Sequence, residues 1–196
     1  TGNVAIGASA NSAGGSQSYT VAIGYGAGAS FANTDVNGVV AIGWNAMNAN
    51  TSGQDNVAVG YSALVSNTDG DGNTAIGDKA LTSQAGTAGT VGNTAVGMHA
   101  GGKITTGTYN TFMGWRAGGR EDAYGLTTGH YNTAVGASAG GSAGVGAVLT
   151  ANYNTSVGYN TGVNLQGDAA ENTLIGARAG VNITTGDQNT VLGSDA

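Results

Sequence analysis

One glycine recurs along the whole chain at short, nearly regular intervals, and no other feature restricts the fold as strongly. It stands at eleven places: Gly7, Gly24, Gly43, Gly60, Gly77, Gly97, Gly114, Gly136, Gly158, Gly176 and Gly193. Successive intervals are 17, 19, 17, 17, 20, 17, 22, 22, 18 and 17 residues, so the basal unit has 17 residues and insertions lengthen some units. A fixed period of this length predicts a solenoid, in which each repeat packs only on its neighbours.

The five residues that end at this anchor glycine, numbered positions one to five, have the composition of a β-strand. Position two is Val or Thr in every repeat, and position four is always Ile, Val, Leu or Met. Such residues favour strands. Because alternate side chains of a strand share a face, positions two and four lie together, and we expect that face to be the interior of each coil.

Position three points the other way, yet it is never charged. It is alanine in most repeats, with Phe112, Ser156, Leu174 and Val191 as the larger or polar exceptions. A strand that is apolar on both faces is normally covered on both, and one slender coil supplies a single cover. We therefore expect a second copy of the chain over position three.

Position one is asparagine in nine of the eleven repeats, with Thr20 and Val39 as exceptions. Stacked coils bring such amides into register, where they hydrogen-bond along the stack. We interpret them as a structural ladder that runs through Asn56, Asn73, Asn93, Asn110, Asn132, Asn154, Asn172 and Asn189.

The composition supports a folded repetitive chain. There are 38 glycines in 196 residues, which alone would suggest disorder, but only 8% of the residues are charged and 40% are hydrophobic. Proline, which interrupts a strand ladder, is absent. The sequence predicts an all-β, parallel β-solenoid (β-roll or β-helix) of about eleven coils of 17–22 residues, forming one domain over 1–196.

Charge and residue usage exclude several classes of partner. The formal net charge of −6 disfavours the phosphate backbone of nucleic acid. Disulfides and thiolate metal sites need cysteine, and there is none. Apolar runs fall short of the ~18 residues of a membrane span, so we expect no membrane insertion. A chain that begins at Thr1 suggests a processed or excised piece, and so a fragment of a longer protein.

The signature N-[TV]-A-[IV]-G-x-x-A is clearest at Asn56 to Ala63, Asn73 to Ala80 and Asn93 to Ala100. It resembles the repeats of two groups of fibrous proteins, over the full chain: the heads of trimeric autotransporter adhesins, and the tail fibres of phages and phage-derived injection machines. The resemblance implies a homotrimer on a virion tail or on the extracellular face of a cell. It also implies other fibre or baseplate proteins as partners, and a host cell-surface glycan or protein as receptor.

Binding residues are expected in the insertions, because loops on one side of a repeat array often form its binding surface. Of the two longest intervals, the first mixes charged and aromatic residues suited to polar or sugar surfaces. Its receptor-binding candidates are Trp115, Arg116, Arg120, Glu121, Asp122, Tyr124, His130 and Tyr131.

The residue directly after the anchor glycine is aromatic in five repeats: Tyr25, Trp44, Tyr61, Trp115 and Tyr159. Two interpretations are open. These rings form a stripe that stacks on sugars, or they pack at a corner of the coil or between chains, which is the interpretation we favour.

No motif indicates catalysis, a metal or a cofactor. Gly97 to Ile104 reads G-x-x-x-x-G-K-I and lacks the Ser or Thr that a phosphate-binding loop requires. The segment that begins at Asp69 resembles a calcium loop, but its twelfth position is Ala80 in place of a bidentate glutamate. His99 and His130 stand in no nucleophile motif.

Three functions fit the sequence. The first is a structural and receptor-binding fibre or adhesin module, and the second is a passive shaft or spacer. The third is an ice-binding solenoid, which would need the threonines from Thr74 to Thr190 to face water. The irregular, chemically mixed insertions favour the first.

Overall fold

The computed structural model describes residues 2–32, 36–119, 128–141, 150–167 and 169–196. In these ranges the chain forms strands, turns and bends, and no helix. The strands are β1 (Val4–Ile6), β2 (Val21–Ile23), β3 (Val40–Ile42), β4 (Val57–Val59), β5 (Gly70–Asp71), β6 (Thr74–Ile76), β7 (Gly89–Thr90), β8 (Thr94–Val96), β9 (Thr111–Met113), β10 (Thr133–Val135), β11 (Thr155–Val157), β12 (Thr173–Ile175) and β13 (Thr190–Leu192).

Eleven of these strands stack into one parallel sheet, which confirms the predicted all-β solenoid. Each three-residue strand covers positions two to four of one repeat, and it pairs with the same positions of the next. Val21 pairs with Val40, for example, and Thr133 pairs with Thr155. The short strands β5 and β7 pair separately on the return side of the coil. At about 4.8 Å per strand, the stack is on the order of 50 Å long.

The expectation for which strand face lies inside the coil was wrong. Position three is the buried one, since Ala22, Ala41 and Ala58 have no exposed surface. Positions two and four are half-buried or exposed along the stack, and Ile76 is 39% exposed. The physical reason is the limited interior volume of the coil. A coil of 17 residues is narrow, and small alanines allow its walls to approach closely. The uncovered apolar face therefore belongs to positions two and four.

Large side chains fill the interior at two alternative places in the repeat. Where position three is alanine, several repeats place a buried Met or Leu four residues after the anchor glycine, as at Leu64 and Leu81. Where that later residue is glycine, position three can be large: a Cβ on Gly118 would lie 2.4 Å from the ring of Phe112. A small cavity occurs where both places are small, at Ala134 and Gly140.

The anchor glycine is required by both conformation and space. At Gly60 the φ angle is 140°, in the region that L side chains rarely adopt. A Cβ built there would lie 2.4 Å from the carbonyl oxygen of Gly77, the anchor glycine of the next coil. Successive coils approach each other too closely at this corner for any side chain.

The asparagines of position one form a continuous buried chain of hydrogen bonds. The backbone N–H of Asn132 donates to Oδ1 of Asn110 at 2.9 Å, and its own Oδ1 accepts from the N–H of Asn154 at 3.0 Å. Its Nδ2 also donates to the carbonyl of Ala151 at 2.8 Å, which ties the strand to the return segment of its own coil. The same pattern of backbone N–H to Oδ1 bonds links successive members from Asn56 to Asn189.

Candidate interaction surface

The widest candidate surface is the outer face, formed by positions two and four of the eleven stacked strands. Position four supplies an aliphatic row, in which Ile76, Met113 and Ile175 are 39%, 46% and 40% exposed. Position two supplies Val in the first four strands and Thr in the remaining seven. The face carries no charged residue. An apolar face of this length on one chain is typical of an interaction surface.

Exposed aromatic side chains stand at both ends of the strands. The tyrosine row, directly before position one, consists of Tyr109, Tyr131 and Tyr153, whose ring centroids are 5.2 and 5.0 Å apart. Their stacking is nearly parallel, at 9° and 4°. The ring faces therefore cover one another and the ring edges point outward.

A second aromatic row follows the anchor glycines, where Trp44 stacks on Tyr25 at 6.2 Å and on Tyr61 at 4.8 Å. These three rings pack against one another within one chain, along the stack of coils, which is one of the two interpretations given above. Trp115 and Tyr159 are two coils apart and are not neighbours in this row, because Ala137 occupies the same position in the coil between them.

The predicted receptor-binding residues fall into two groups. Trp115 and Arg116 follow β9, whereas His130 and Tyr131 precede β10. Along the repeat, the place of Tyr131 before a strand and the place of Trp115 after one differ by six residues. Six residues of extended chain span roughly 20 Å. The structure therefore does not bring the two groups together at one point. The remaining candidates, Arg120, Glu121, Asp122 and Tyr124, lie outside the described residues.

His130 and Tyr131 contribute to the stacking of coils. Nδ1 of His130 accepts a hydrogen bond from the backbone N–H of Thr108 at 3.1 Å, and the His130 N–H donates to Oδ1 of Asn152 at 2.7 Å. Oδ1 of Asn37 makes the equivalent bond to the N–H of Ser18 at 3.1 Å. Tyr131 is the middle ring of the tyrosine row.

Sequence reasoning missed a basic row two residues after the anchor glycine. Three consecutive coils place Lys79, His99 and Arg116 there, although the whole chain has only five Lys and Arg residues. The guanidinium of Arg116 lies 4.5 Å from the centroid of the Trp115 ring. Unit charges on Lys79 and Arg116, two coils or about 9.6 Å apart, would repel by about 0.4 kcal/mol in water. The signal was available in the sequence by extending the repeat alignment past the glycine.

Arg178 occupies the same place three coils beyond Arg116 but forms an ion pair with Asp195. Its side-chain hydrogen bond lowers the pKa of the Asp195 carboxyl, and the same bond raises the pKa of Arg178. Both side chains are more than half exposed, so the pair is screened by solvent. The positive charge of Arg178 is thereby balanced.

Within the described ranges, no three His, Cys, Asp or Glu side chains are grouped so that they could hold a metal ion. Nor do those ranges contain a helix with the length and apolar character needed to span a membrane. Comparison of the chain with protein families, curated proteins and solved structures gives no match.

Proposed function

We propose that this chain is a structural and receptor-binding module of a homotrimeric fibre or adhesin, without catalytic activity. It would project from a virion tail or a cell surface and attach to a host cell. The observation that carries the proposal is the outer face: a continuous, uncharged, half-exposed apolar surface along the full stack. Left in water, such a face would favour aggregation.

A second and third copy of the same chain fit the outer face best as its cover. The face repeats once per coil, and a chain of the same sequence has the same pitch and the same insertions at the same levels. Copies arranged around an axis parallel to the stack would place identical rows side by side, as closed symmetry requires. Residues without charge need no oppositely charged partner.

Attachment tests the receptor-binding part of the proposal. Labelled protein is incubated with a panel of bacterial and animal cells, and a variant with Arg120, Glu121 and Asp122 replaced by serine is compared with Lys103→Ser. We expect the triple variant to lose most of its attachment at an unchanged melting temperature, and Lys103→Ser to attach normally. Wild-type protein that attaches to no cell would support the passive shaft instead. Equal attachment of all three proteins would remove residues 120–122 from the site.

One observation favours ice binding as a second candidate. The threonines of position two share their face with the aliphatic position four, as the sequence predicts, but that face points outward. Seven threonines from Thr74 to Thr190 therefore line up in register on the surface. Both candidates use the same face, so a trimer that covers it excludes ice binding. Thermal hysteresis by a folded monomer would favour ice binding, and its absence in a stable trimer would favour the fibre.

A further inference from the structure

We propose that neighbouring copies in the trimer meet through the two borders of the outer face, coil by coil, with Tyr131 of one copy against Ala137 of the next. The leading border is the residue directly before position one, and the trailing border is the residue directly after the anchor glycine. This pairing rests on the proposed trimer and names the residues that each copy offers to its neighbour. Tyr131 then contacts another copy and does not face the receptor.

Closed three-fold symmetry decides which borders meet. Three copies around one axis form a ring, in which each copy contacts its two neighbours through two different patches. With the outer faces around the axis, the leading border of one copy adjoins the trailing border of the next. A rotation without translation keeps equal levels together, so the coil that contains Tyr131 and Ala137 meets the same coil of the neighbour.

The strand face alone is too small for a stable contact. Three strand residues are about 10 Å wide, so the face has about 500 Å² over a stack of roughly 50 Å. Stable interfaces bury about 800 Å² on each partner. Including both borders, six residues apart, widens the surface to roughly 20 Å and enlarges it to about 1,000 Å². Exposed border rings such as Tyr131 and Trp44, at 48% and 44%, therefore belong to the interface.

Two glycines of the leading border are not required by their own chain. Gly38 and Gly72 have φ angles of 64° and 71°, but Asp55 and Tyr131 adopt 53° and 57° at the same place in the repeat. Among the described residues, the nearest atom to a Cβ on Gly72 would be the Cα of Gly92, at 4.0 Å. A Cβ on Gly38 would meet the movable carboxylate end of Asp55. The missing side chains leave room for a group outside the chain.

The sizes of the two borders are complementary at the levels where they differ most. Trp44 of the trailing border lies at the level of Gly38, so its outward edge meets a place without a side chain. The relation is reversed where Tyr131 lies at the level of Ala137. In three coils both borders are aromatic, and two rings at one level pack in offset or edge-to-face contact. A second copy of this chain therefore fits the borders.

Charge is also compatible with this pairing. The leading border carries Asp55 and Glu171, and the trailing border carries Asp78, all at different levels. Each of these acids faces an uncharged residue of the other border. Like charges placed directly opposite each other would oppose association, and the borders of this acidic chain avoid that arrangement.

Cross-linking tests the contact directly, because the chain has no cysteine. Tyr131→Cys combined with Ala137→Cys is treated with a bismaleimide that reaches less than half of the roughly 20 Å between these residues in one chain. We expect a product of three linked chains on a denaturing gel, since each copy bonds to both neighbours. The control combines Tyr131→Cys with Ala8→Cys, at the same place as Ala137 but seven coils or about 34 Å away, and should remain single chains.

A double-mutant cycle tests the fit of the side chains. Ala137→Trp places a ring where Tyr131 of the next copy lies, and should lower the guanidinium concentration at which the trimer dissociates, followed by light scattering. Adding Tyr131→Gly reproduces the pair of Gly38 with Trp44, so the combined loss should be smaller than the sum of the single losses. Residues 131 and 137 are too far apart in one chain to contact each other, so this coupling arises between chains. Ala8→Trp, in a coil whose leading border is glycine, should dissociate as wild type does.

Three results would overturn the pairing: a trimer in which the Tyr131→Cys and Ala137→Cys variant stays as single chains, equal cross-linking of the control, or additive losses in the cycle. Each would leave the proposed trimer standing, because the molar mass of the wild-type protein is measured separately. Wild-type protein with the mass of one chain would contradict the trimer and this contact together.

Discussion

The repeated residues of this chain are explained by close stacking at particular atoms. The anchor glycine is required because a Cβ would collide with the carbonyl oxygen of the next coil, as at Gly60 and Gly77. Asparagine is required at position one because its amide group joins hydrogen bonds between successive coils. Thr20 shows what the amide contributes, because its buried Oγ1 has no hydrogen-bond partner among the described residues. These positions are structural, so the recognition that we propose would belong to residues that vary from coil to coil.

Replacing an anchor glycine by alanine separates steric contact from backbone strain. Gly60→Ala meets the Gly77 carbonyl at 2.4 Å in addition to an unfavourable φ of 140°, and should lower the free energy of unfolding by several kcal/mol. Gly193→Ala is the control, since its φ of 135° is similar but its Cβ would meet only Ala196 at an ordinary 3.7 Å, so the backbone strain alone, about 1–3 kcal/mol, is expected. Denaturant titration measures both. Equal losses would show that the carbonyl of Gly77 does not approach Gly60 closely enough to exclude a side chain.

At the scale of the strand, the sequence predicted the parity of the side chains but assigned the wrong face to the interior. Alternation establishes that positions two and four share a face, and the structure agrees. It does not establish which face is inside, and hydrophobicity favoured the aliphatic side chains over alanine. The deciding quantity is the interior volume that two places in the coil share, because an alanine at position three, such as Ala58, leaves space for a large buried side chain after the anchor glycine, such as Leu64.

The candidate surface was predictable only in part, for a related reason. Residues after the glycine, such as Trp115 and Arg116, were predicted as binding candidates because they are aromatic or charged and begin a long insertion. The basic row needed stacking to become visible, since Lys79, His99 and Arg116 are far apart in the sequence and adjacent only between coils. His130 was interpreted as a binding residue from its place in a chemically mixed insertion, because its hydrogen bond to Thr108, 22 residues away, becomes visible only when the coils are stacked.

A double variant can test whether position three and the residue four after the anchor glycine share one interior space. Phe112→Ala empties a buried site and should cost about 3–5 kcal/mol of unfolding free energy. Adding Gly118→Leu should restore part of that loss, because the double variant reproduces the arrangement of Ala58 with Leu64, where leucine adopts a φ of 52°. We expect a favourable coupling energy of at least about 1 kcal/mol in a double-mutant cycle. Additive losses would mean that the two places do not share one space.

Across the whole molecule, stacking makes the interior of the coil very different from its outer face. Inside, alanines, amides and a few large side chains are packed and hydrogen-bonded. Outside, the outer face presents aliphatic and threonine side chains to water along all eleven strands, with exposed aromatic rows at its borders. Each coil repeats the same uncovered surface, so a partner that covers one coil favourably covers them all.

The central claim is that two further copies of the chain cover the outer face, and molar mass in solution tests it most directly. Size-exclusion chromatography with multi-angle light scattering, at micromolar concentration, should give a single species of three times the mass of one chain. A well-folded species with the mass of one chain would contradict the claim.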